Sequence, residues 1–324
     1  MTEKQIIDHL AELIVADFDL HRADASDSPS AALVDGIQEL CSEKRIVYTA
    51  YDGDHLQLSA FMRSSVLCQG KVPANPESIL GYKETVTANQ VKRGVLLDDL
   101  SVLKGCDELW VFTDLSPDED SIPRIAEGVL VELLYFLQKR SANSVHFVAL
   151  SDSLRGNTTL RSYPFSFEQT LSLLEKEQAG ELVEIATSAS GQQCQGRPIA
   201  YHIVDPLDFK YSHWLRPQAY SRGTAPLVPA FAVEVRDAWP EQSRGQIVLA
   251  WLKLMELADI AWMYPGMDKE RGSSRMTKLM EAIWRRQRPT TIVTERFWSE
   301  YSIPKATLPE VWALTKRDQI PSRT

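Results

Sequence analysis

The residue of this sequence best suited to chemistry is Glu132, an acid on an otherwise apolar helical stripe. It lies within Val129-Leu-Val-Glu-Leu-Leu-Tyr-Phe-Leu137, and its neighbours three and four positions away are glycine, valine, tyrosine and phenylalanine. Because burying an unpaired carboxylate shifts its pKa or demands a partner, we predict Glu132 to be a nucleophile or general acid/base. The alternative is a glutamate at the helix edge that pairs with Arg124, Lys139 or Arg140.

The usual motifs of metal, phosphate-loop and hydrolase sites are missing from the sequence. It contains no GxxxxGK[ST], no GxGxxG after a predicted strand, no GxSxG and no HExxH. Its four cysteines are scattered, without a CxxC motif or a histidine at metal-ligand spacing. We therefore expect no metal site, and reduced cysteines in a cytoplasmic protein.

Composition narrows the class of protein and its partners. The 324 residues predict two domains of ordinary size, and 44% hydrophobic with 24% charged residues is typical of a globular protein. With 35 basic against 44 acidic residues the net charge is -9, which makes nucleic acid an unlikely partner. No stretch approaches the roughly 20 apolar residues that cross a bilayer, and the acid-containing N-terminus is not typical of a signal peptide, so we expect no membrane association.

The elements that must position Glu132 alternate between strand and helix patterns, which favours an α/β fold with parallel sheets in three layers. Ligands of such sheets bind at the carboxyl ends of the strands. The predicted strands are 45–50, 109–112, 145–150, 199–204 and the segment around 258–265, and the predicted helices are 4–22, 31–43, 56–67, 87–104, 124–140, 167–178, 247–257 and 274–286. The predicted domains are a helical extension 1–44, an α/β domain 45–150, a linker with one helix 151–196, a second domain 197–296 and a C-terminal helix and tail 297–324.

An internal repeat relates the two predicted domains. Tyr48 and Tyr201 are 153 positions apart, and four further pairs are 152 apart. Those pairs are Leu100 with Leu252, Leu103 with Met255, Asp107 with Asp259 and Trp110 with Trp262. We infer a tandem duplication of one flavodoxin-like unit, with the second copy at about 197–294.

Five short segments in residues 45–140 together resemble the motifs of a known family, in the same order along the chain. Ile46-Val-Tyr48 on the first strand is followed by Tyr51-Asp52-Gly53-Asp54, and Asp98-Asp99-Leu100 precedes Cys106-Asp107-Glu-Leu-Trp-Val-Phe112 by a short gap. Glu127-Gly128-Val-Leu-Val-Glu132 comes last. Together they resemble the nucleoside 2-deoxyribosyltransferase superfamily, including its nucleotide N-glycosidase branches.

The resemblance implies a role for each matching residue. Glu132 would be the nucleophile that attacks the anomeric carbon. Asp99 would be the acid/base or the orienting group, and Tyr48 would hold Glu132 in position. The substrate-binding positions it implies are Tyr51, Asp52, Gly53 and Gly128, with Asp118 and Asp120 on the loop before the glutamate. Carboxylates suit cleavage of an N-glycosidic bond because the transition state resembles an oxocarbenium ion.

Purely structural roles are the alternative for several of these residues. Asp98 and Asp99 also fit a solvated helix face, Tyr48 fits a strand core residue with a satisfied hydroxyl, and Asp107 fits a structural turn or cap. The chain also departs from the transferases at Ala126, where they usually carry an aspartate.

The second copy is the poorer candidate for a site. In the repeat register Trp251 stands at the position of Asp99 and Leu279 at that of Glu132, while Glu281 would face elsewhere on its helix. Other polar residues of this half are His202, Asp205, His213 and the basic cluster Arg285, Arg286 and Arg288. The cluster fits either the helix dipole or a phosphate contact, and the histidines have no metal-site spacing.

From the sequence we therefore expect an enzyme, a hydrolase or transferase that acts on a nucleoside or nucleotide without a cofactor and forms homo-oligomers. The alternatives are a nucleotide-binding sensor or scaffold without catalysis, and an NAD glycohydrolase with the same chemistry on another substrate.

Overall fold

A computed structural model of the chain divides it into two compact units, Lys44–Ile199 and Met1–Glu43 together with Ala200–Thr324. The structure describes residues 1–18, 29–52, 58–75, 89–114, 125–151, 158–162, 165–176, 180–188, 197–204, 219, 222–227, 244–263, 274–288 and 292–294. Within these residues, no helix is both long and apolar enough to span a bilayer.

The described elements follow the alternation that the sequence predicts. The helices are, in chain order, α1 (Glu3–Phe18), α2 (Ala31–Glu43), α3 (Ser59–Cys68), α4 (Asn89–Leu103), α5 (Glu127–Leu137), α6 (Phe167–Lys176), α7 (Gly180–Ser188), α8 (Arg244–Leu254) and α9 (Arg275–Gln287). The strands are β1 (Ile46–Tyr51), β2 (Val72–Ala74), β3 (Glu108–Thr113), β4 (Val145–Ala149), β5 (Ile199–Ile203), β6 (Ala225–Leu227), β7 (Ile260–Met263) and β8 (Ile292–Thr294). Short 3-10 helices lie at Ala142–Ser144 and Met255–Leu257.

The unit Lys44–Ile199 is built on a four-stranded parallel sheet in the order β2-β1-β3-β4. One face packs on α3 through a buried cluster that includes Val47, Trp110, Phe112 and Met62. Side chains alternate along a strand, so Tyr48 lies on the opposite face, where α5 packs against β1 and β3 and α4 packs against α5. The α/β fold with parallel sheets is therefore confirmed.

Two elements of this unit differ from the sequence-based prediction. Val72-Pro-Ala74 is a strand although it contains a proline, which is tolerated because β2 is at the edge of the sheet. Residues 180–188 form a second helix within the predicted linker, and both α6 and α7 pack against α5. The helices α6 and α7 thus cover part of the helix that carries Glu132.

The other unit contains a second four-stranded sheet, in the order β6-β5-β7-β8. The N-terminal helices belong to this unit, because α1 and α2 pack on α8 and α9. The contact of α1 with α8 is close: a Cβ at Gly245 would lie 2.2 Å from the carbonyl oxygen of Ile7. The predicted C-terminal helix and tail, 297–324, lie outside the described residues.

The two sheets share their strand order and a register. Tyr48 is the third residue of β1 and pairs with Leu109 of β3, while Tyr201 is the third residue of β5 and pairs with Ala261 of β7. Both tyrosines are fully buried. The two tyrosines that the repeat relates therefore occupy equivalent positions in their sheets.

Candidate active site

A hydrogen bond between a strand and a helix forms the centre of the candidate site. The hydroxyl of Tyr48 on β1 donates to Oε1 of Glu132 on α5 over 2.7 Å. Glu132 is only 7% exposed, and the flanking residues of α5 from Val129 to Phe136 are all buried. The apolar stripe that singled out Glu132 in the sequence is thus the reason why this carboxyl group lies inside the protein.

Burial dominates the electrostatics of Glu132. It raises the pKa of this carboxyl to about 8, against the opposing effect of the hydrogen bond from Tyr48. In the described part of the chain Glu132 has no ion pair with Lys139 or Arg140, and the Lys139 ammonium lies 5.2 Å from the centre of the Tyr135 ring. Arg124 lies outside the described residues.

Asp99 on α4 is the second buried carboxyl of the site. It is 5% exposed, so the interpretation of Asp98 and Asp99 as a solvated helix face is wrong. Burial raises the pKa of Asp99 well above its ordinary range, and the neighbouring charges of Glu132 and Asp98 raise it further. Its Oδ1 atom has no hydrogen-bond partner among the described residues.

Tyr48, Asp99 and Glu132 differ in how readily each loses its proton. Burial together with the charges of Asp99 and Glu132 raises the pKa of Tyr48, so its hydroxyl remains a donor. Asp99 and Glu132 titrate as a coupled pair. The bond from Tyr48 favours ionised Glu132, whereas the surroundings of Asp99 favour its protonated form, so the last proton of the pair resides on Asp99.

Asp98, next to Asp99, has a different partner. Its Oδ1 accepts a 3.3 Å hydrogen bond from the backbone N–H of Arg197, and its Oδ2 lies 3.2 Å from Nη2 of the same arginine. Burial raises the pKa of Asp98 to about 6, and the Arg197 contacts oppose this rise. Sequence reasoning missed Arg197, because its only local signal was its position at the end of a polar, glycine-containing stretch.

Of the substrate-binding positions implied by the family resemblance, Tyr51 and Asp52 lie at the carboxyl end of β1. Tyr51 ends β1 but packs on the α3 face, and its hydroxyl donates to Oδ1 of Asn75 over 2.8 Å. It lies three positions after Tyr48, so the two rings point to opposite faces of the sheet. Asp52 follows β1 directly, whereas Gly53, Asp118 and Asp120 lie outside the described residues.

The first turn of α5 is open. Gly128 is exposed, and a Cβ built on it would meet nothing within 4 Å. Ala126 is the N-cap residue of α5, with an extended backbone and no side-chain capping bond. The position where the transferases carry an aspartate is therefore a helix N-cap in this chain.

Asp107 has a structural role. Its Oδ2 accepts a 2.8 Å hydrogen bond from the backbone N–H of Ile46, and its own N–H donates to the carbonyl of Ile46. The aspartate thus ties the start of β3 to the start of β1, at the edge of the sheet opposite to the strand ends that bind ligands.

The second sheet carries a tyrosine without the carboxyl groups. The hydroxyl of Tyr201 donates to the backbone carbonyl of Trp251 over 3.1 Å. Leu279 is buried on α9. His202 is fully buried, with its ring 5.6 Å from that of Trp262. Asp205 and His213 lie outside the described residues.

The basic cluster of α9 makes contacts within its own unit. Arg285 pairs with Glu281 at 2.7 Å, Arg286 pairs with Asp35, and Arg288 donates to the carbonyl of Glu256 over 2.7 Å. These contacts account for the three guanidinium groups without a phosphate. In the described residues, no group of three or more His, Cys, Asp or Glu side chains has the arrangement of a metal site.

Comparisons with protein families, with curated proteins and with solved structures found no match for this chain.

Proposed function

We propose that the protein cleaves, or transfers at, the N-glycosidic bond of a nucleoside or nucleotide, with Glu132 as nucleophile. The observation that carries this proposal is the 2.7 Å hydrogen bond from Tyr48 to the buried Glu132, on a helix that packs against α4 with its buried Asp99. A nucleophilic carboxylate and a protonated acid side by side are what glycoside cleavage through a covalent intermediate requires.

The proposed reaction has two steps. In the first, an oxygen of ionised Glu132 bonds to C1′ of the sugar, the bond from C1′ to the base breaks, and the departing base nitrogen takes the proton of Asp99. In the second, water or an acceptor base attacks C1′ and gives its proton to Asp99, and the bond to Glu132 breaks. Tyr48 orients Glu132 and favours its ionised form, which the carboxyl takes up as the pH rises through its pKa of about 8, and no cofactor is required.

We further propose that the two sheets are two flavodoxin-like units from one duplication, with catalysis only in the unit Lys44–Ile199. The shared strand order and the equivalent positions of Tyr48 and Tyr201 support the duplication. In the repeat register Trp251 and Leu279 stand at the positions of Asp99 and Glu132, and the Tyr201 hydroxyl donates to a backbone carbonyl, which supports a non-catalytic second unit.

We also propose a compartment and an assembly. The thiols of Cys68 and Cys106, which form no disulfide among the described residues, support a reducing, cytoplasmic setting. A homo-oligomer is proposed as well, and light scattering of the purified chain measures its mass directly.

The experiment is a product assay with matched variants. The protein is incubated with ribo- and deoxyribonucleosides, their monophosphates and NAD, and free base is quantified by chromatography. We expect base release that is lost in Glu132→Gln and kept in Glu281→Gln, a substitution of the same type on α9. A Glu132→Gln variant as active as the wild type would refute the nucleophile, and release from NAD alone would favour an NAD glycohydrolase.

A nucleotide sensor or scaffold is the second candidate, and the burial of the carboxyl pair favours it. Glu132 and Asp99 are 7% and 5% exposed, so substrate must reach groups that are nearly closed to solvent. A sensor would gain thermal stability from nucleotides, by mass action, without releasing base. Thermal unfolding in the presence of the same compounds separates the two candidates.

A further inference from the structure

Arg197 holds the helix that carries Asp99 through two contacts with one carboxyl group. Its backbone N–H and its guanidinium lie 3.3 and 3.2 Å from the two oxygens of Asp98. The side chain of Asp98 is 1% exposed, whereas that of Arg197 is 33% exposed. The ion pair therefore reaches from the surface of this unit into its interior and ends next to the candidate acid.

Helix geometry connects this pair to Asp99. Consecutive residues of an α-helix point about 100° apart, so Asp98 and Asp99 cannot face the same neighbour. Fixing Asp98 on Arg197 fixes the rotation of α4 about its axis at this turn, and with it the direction of the Asp99 carboxyl. The Asp99 carboxyl is thus held about 100° away from Asp98 around α4, the helix that packs against α5.

The same pair sets the charge beside Asp99. Glu132 on α5, Tyr48 on β1 and Asp98 on α4 are the described ionisable groups that act on the site, with the buried Cys106 thiol near Tyr48. Asp98 forms an ion pair with Arg197, which counters its charge, and the charge of Arg140 acts on Cys106. Removing Arg197 would free the buried Asp98 carboxyl to move and to take up a proton.

We propose that Arg197 is a positioning residue of the N-glycosidic reaction: it acts through Asp98 to hold the Asp99 carboxyl toward Glu132. This rests on the function proposed above. Arg197 touches neither Glu132 nor Asp99 in the described contacts, so its effect is on orientation and protonation, and not on substrate binding.

The test compares Arg197→Gln, Arg197→Lys and Asp98→Asn with the wild type. Arg285→Gln, which removes an arginine–carboxylate pair on α9, is the matched control. We expect Arg197→Gln and Asp98→Asn to lower kcat about ten- to a hundred-fold, as misplacement of a reacting group does, with KM almost unchanged and a displaced pH profile. Arg197→Lys should restore part of kcat because it keeps the charge but not the planar fork, and Arg285→Gln should behave as the wild type.

A second measurement separates this inference from the proposed function. The carboxyl carbons of Asp99 and Glu132 are titrated by NMR in the wild type and in the Arg197 variants, without substrate. If the wild type releases no base, the proposed function fails, and the titration alone decides whether Arg197 acts on the pair. Superimposable titrations in Arg197→Gln and the wild type would overturn the inference, as would an unchanged kcat in an active enzyme.

Discussion

The hydroxyl of Tyr48 donates a 2.7 Å hydrogen bond to Oε1 of Glu132, and both groups lie inside the protein between β1 and α5. Tyr201 occupies the equivalent place in the second sheet, but its hydroxyl donates to the backbone carbonyl of Trp251. The two equivalent tyrosines thus donate to different acceptors: Tyr48 to a carboxyl group and Tyr201 to the main chain. This pair gives a control within the molecule for every experiment on the site.

We predict that Tyr48→Phe lowers base release while Tyr201→Phe does not. Each substitution removes one buried hydroxyl and one hydrogen bond, so each should cost about 1–2 kcal/mol of folding free energy. Only Tyr48→Phe also removes the donor that favours ionised Glu132, so the pKa of Glu132 should rise above about 8. Urea unfolding and the pH dependence of kcat check the two parts, and equal activities of the two variants would contradict the role of Tyr48.

We predict that the raised pKa of Glu132 makes the folding stability depend on pH. Its pKa is raised from about 4.5 to about 8 in the folded protein, so between these values the unfolded chain releases a proton that the folded protein keeps. Stability therefore falls as the pH rises through this range, by up to roughly 1.4 kcal/mol per pH unit for one proton. Glu132→Gln removes the titrating group, so its advantage in stability over the wild type should grow from pH 5 to pH 8 in urea unfolding. A difference that does not change with pH would contradict the raised pKa.

For Glu108 we predict the opposite dependence of folding stability on pH. It is 3% exposed and accepts from Lys71 Nζ at 2.6 Å and from Trp110 Nε1 at 3.0 Å, with Arg45 at 3.3 Å. Burial raises its pKa, but these donors outweigh burial and lower it below the ordinary 4.5. Its stabilising effect is thus complete above the ordinary value and is lost as the pH falls through the lowered pKa.

The matching experiment is Glu108→Gln at neutral pH. It leaves the Lys71 and Trp110 donors facing a neutral amide, so we expect a loss of about 1–3 kcal/mol in folding free energy. The control is Glu281→Gln, which removes the more exposed pair with Arg285 and should cost about 0.5 kcal/mol or less. Similar losses for both variants in urea unfolding would show that the Glu108 cluster is no better than a surface pair.

Patterns of period and polarity were sufficient to predict the parallel α/β arrangement. The buried strand around Trp110 and the helix around Glu132 can be predicted from the sequence because their apolar residues follow one another closely. The edge strand Val72-Pro-Ala74 and the helix Gly180–Ser188 have only three and nine residues, too few for a clear apolar period, and tertiary contacts decide their structure. The partners of Asp98 and Tyr51 depend on long-range contacts, with Arg197 and Asn75, that no local pattern contains.

Two glycines at the second position of a helix predict opposite outcomes for the same substitution. A Cβ at Gly128 of α5 meets nothing within 4 Å, whereas a Cβ at Gly245 of α8 would lie 2.2 Å from the Ile7 carbonyl oxygen. We expect Gly245→Ala to destabilise by about 1–3 kcal/mol because α1 must shift, and Gly128→Ala to leave stability within about 0.5 kcal/mol. Thermal unfolding checks both, and loss of base release in a stable Gly128→Ala variant would place substrate against α5.

Ala126 leaves the N-terminus of α5 without a side-chain cap. Its backbone, with φ -66° and ψ 150°, is that of an N-cap residue whose side chain could accept from the free N–H groups of the first turn. We expect Ala126→Asp and Ala126→Asn to stabilise the protein by about 1 kcal/mol each, with a further small gain for the aspartate from the helix dipole. An aspartate is also the residue type that the resemblance to the transferases implies at this position. Faster base release in Ala126→Asp than in Ala126→Asn, at equal stability, would therefore show that a carboxylate at this position takes part in the reaction, whereas no gain in thermal stability for either variant would contradict the capping geometry.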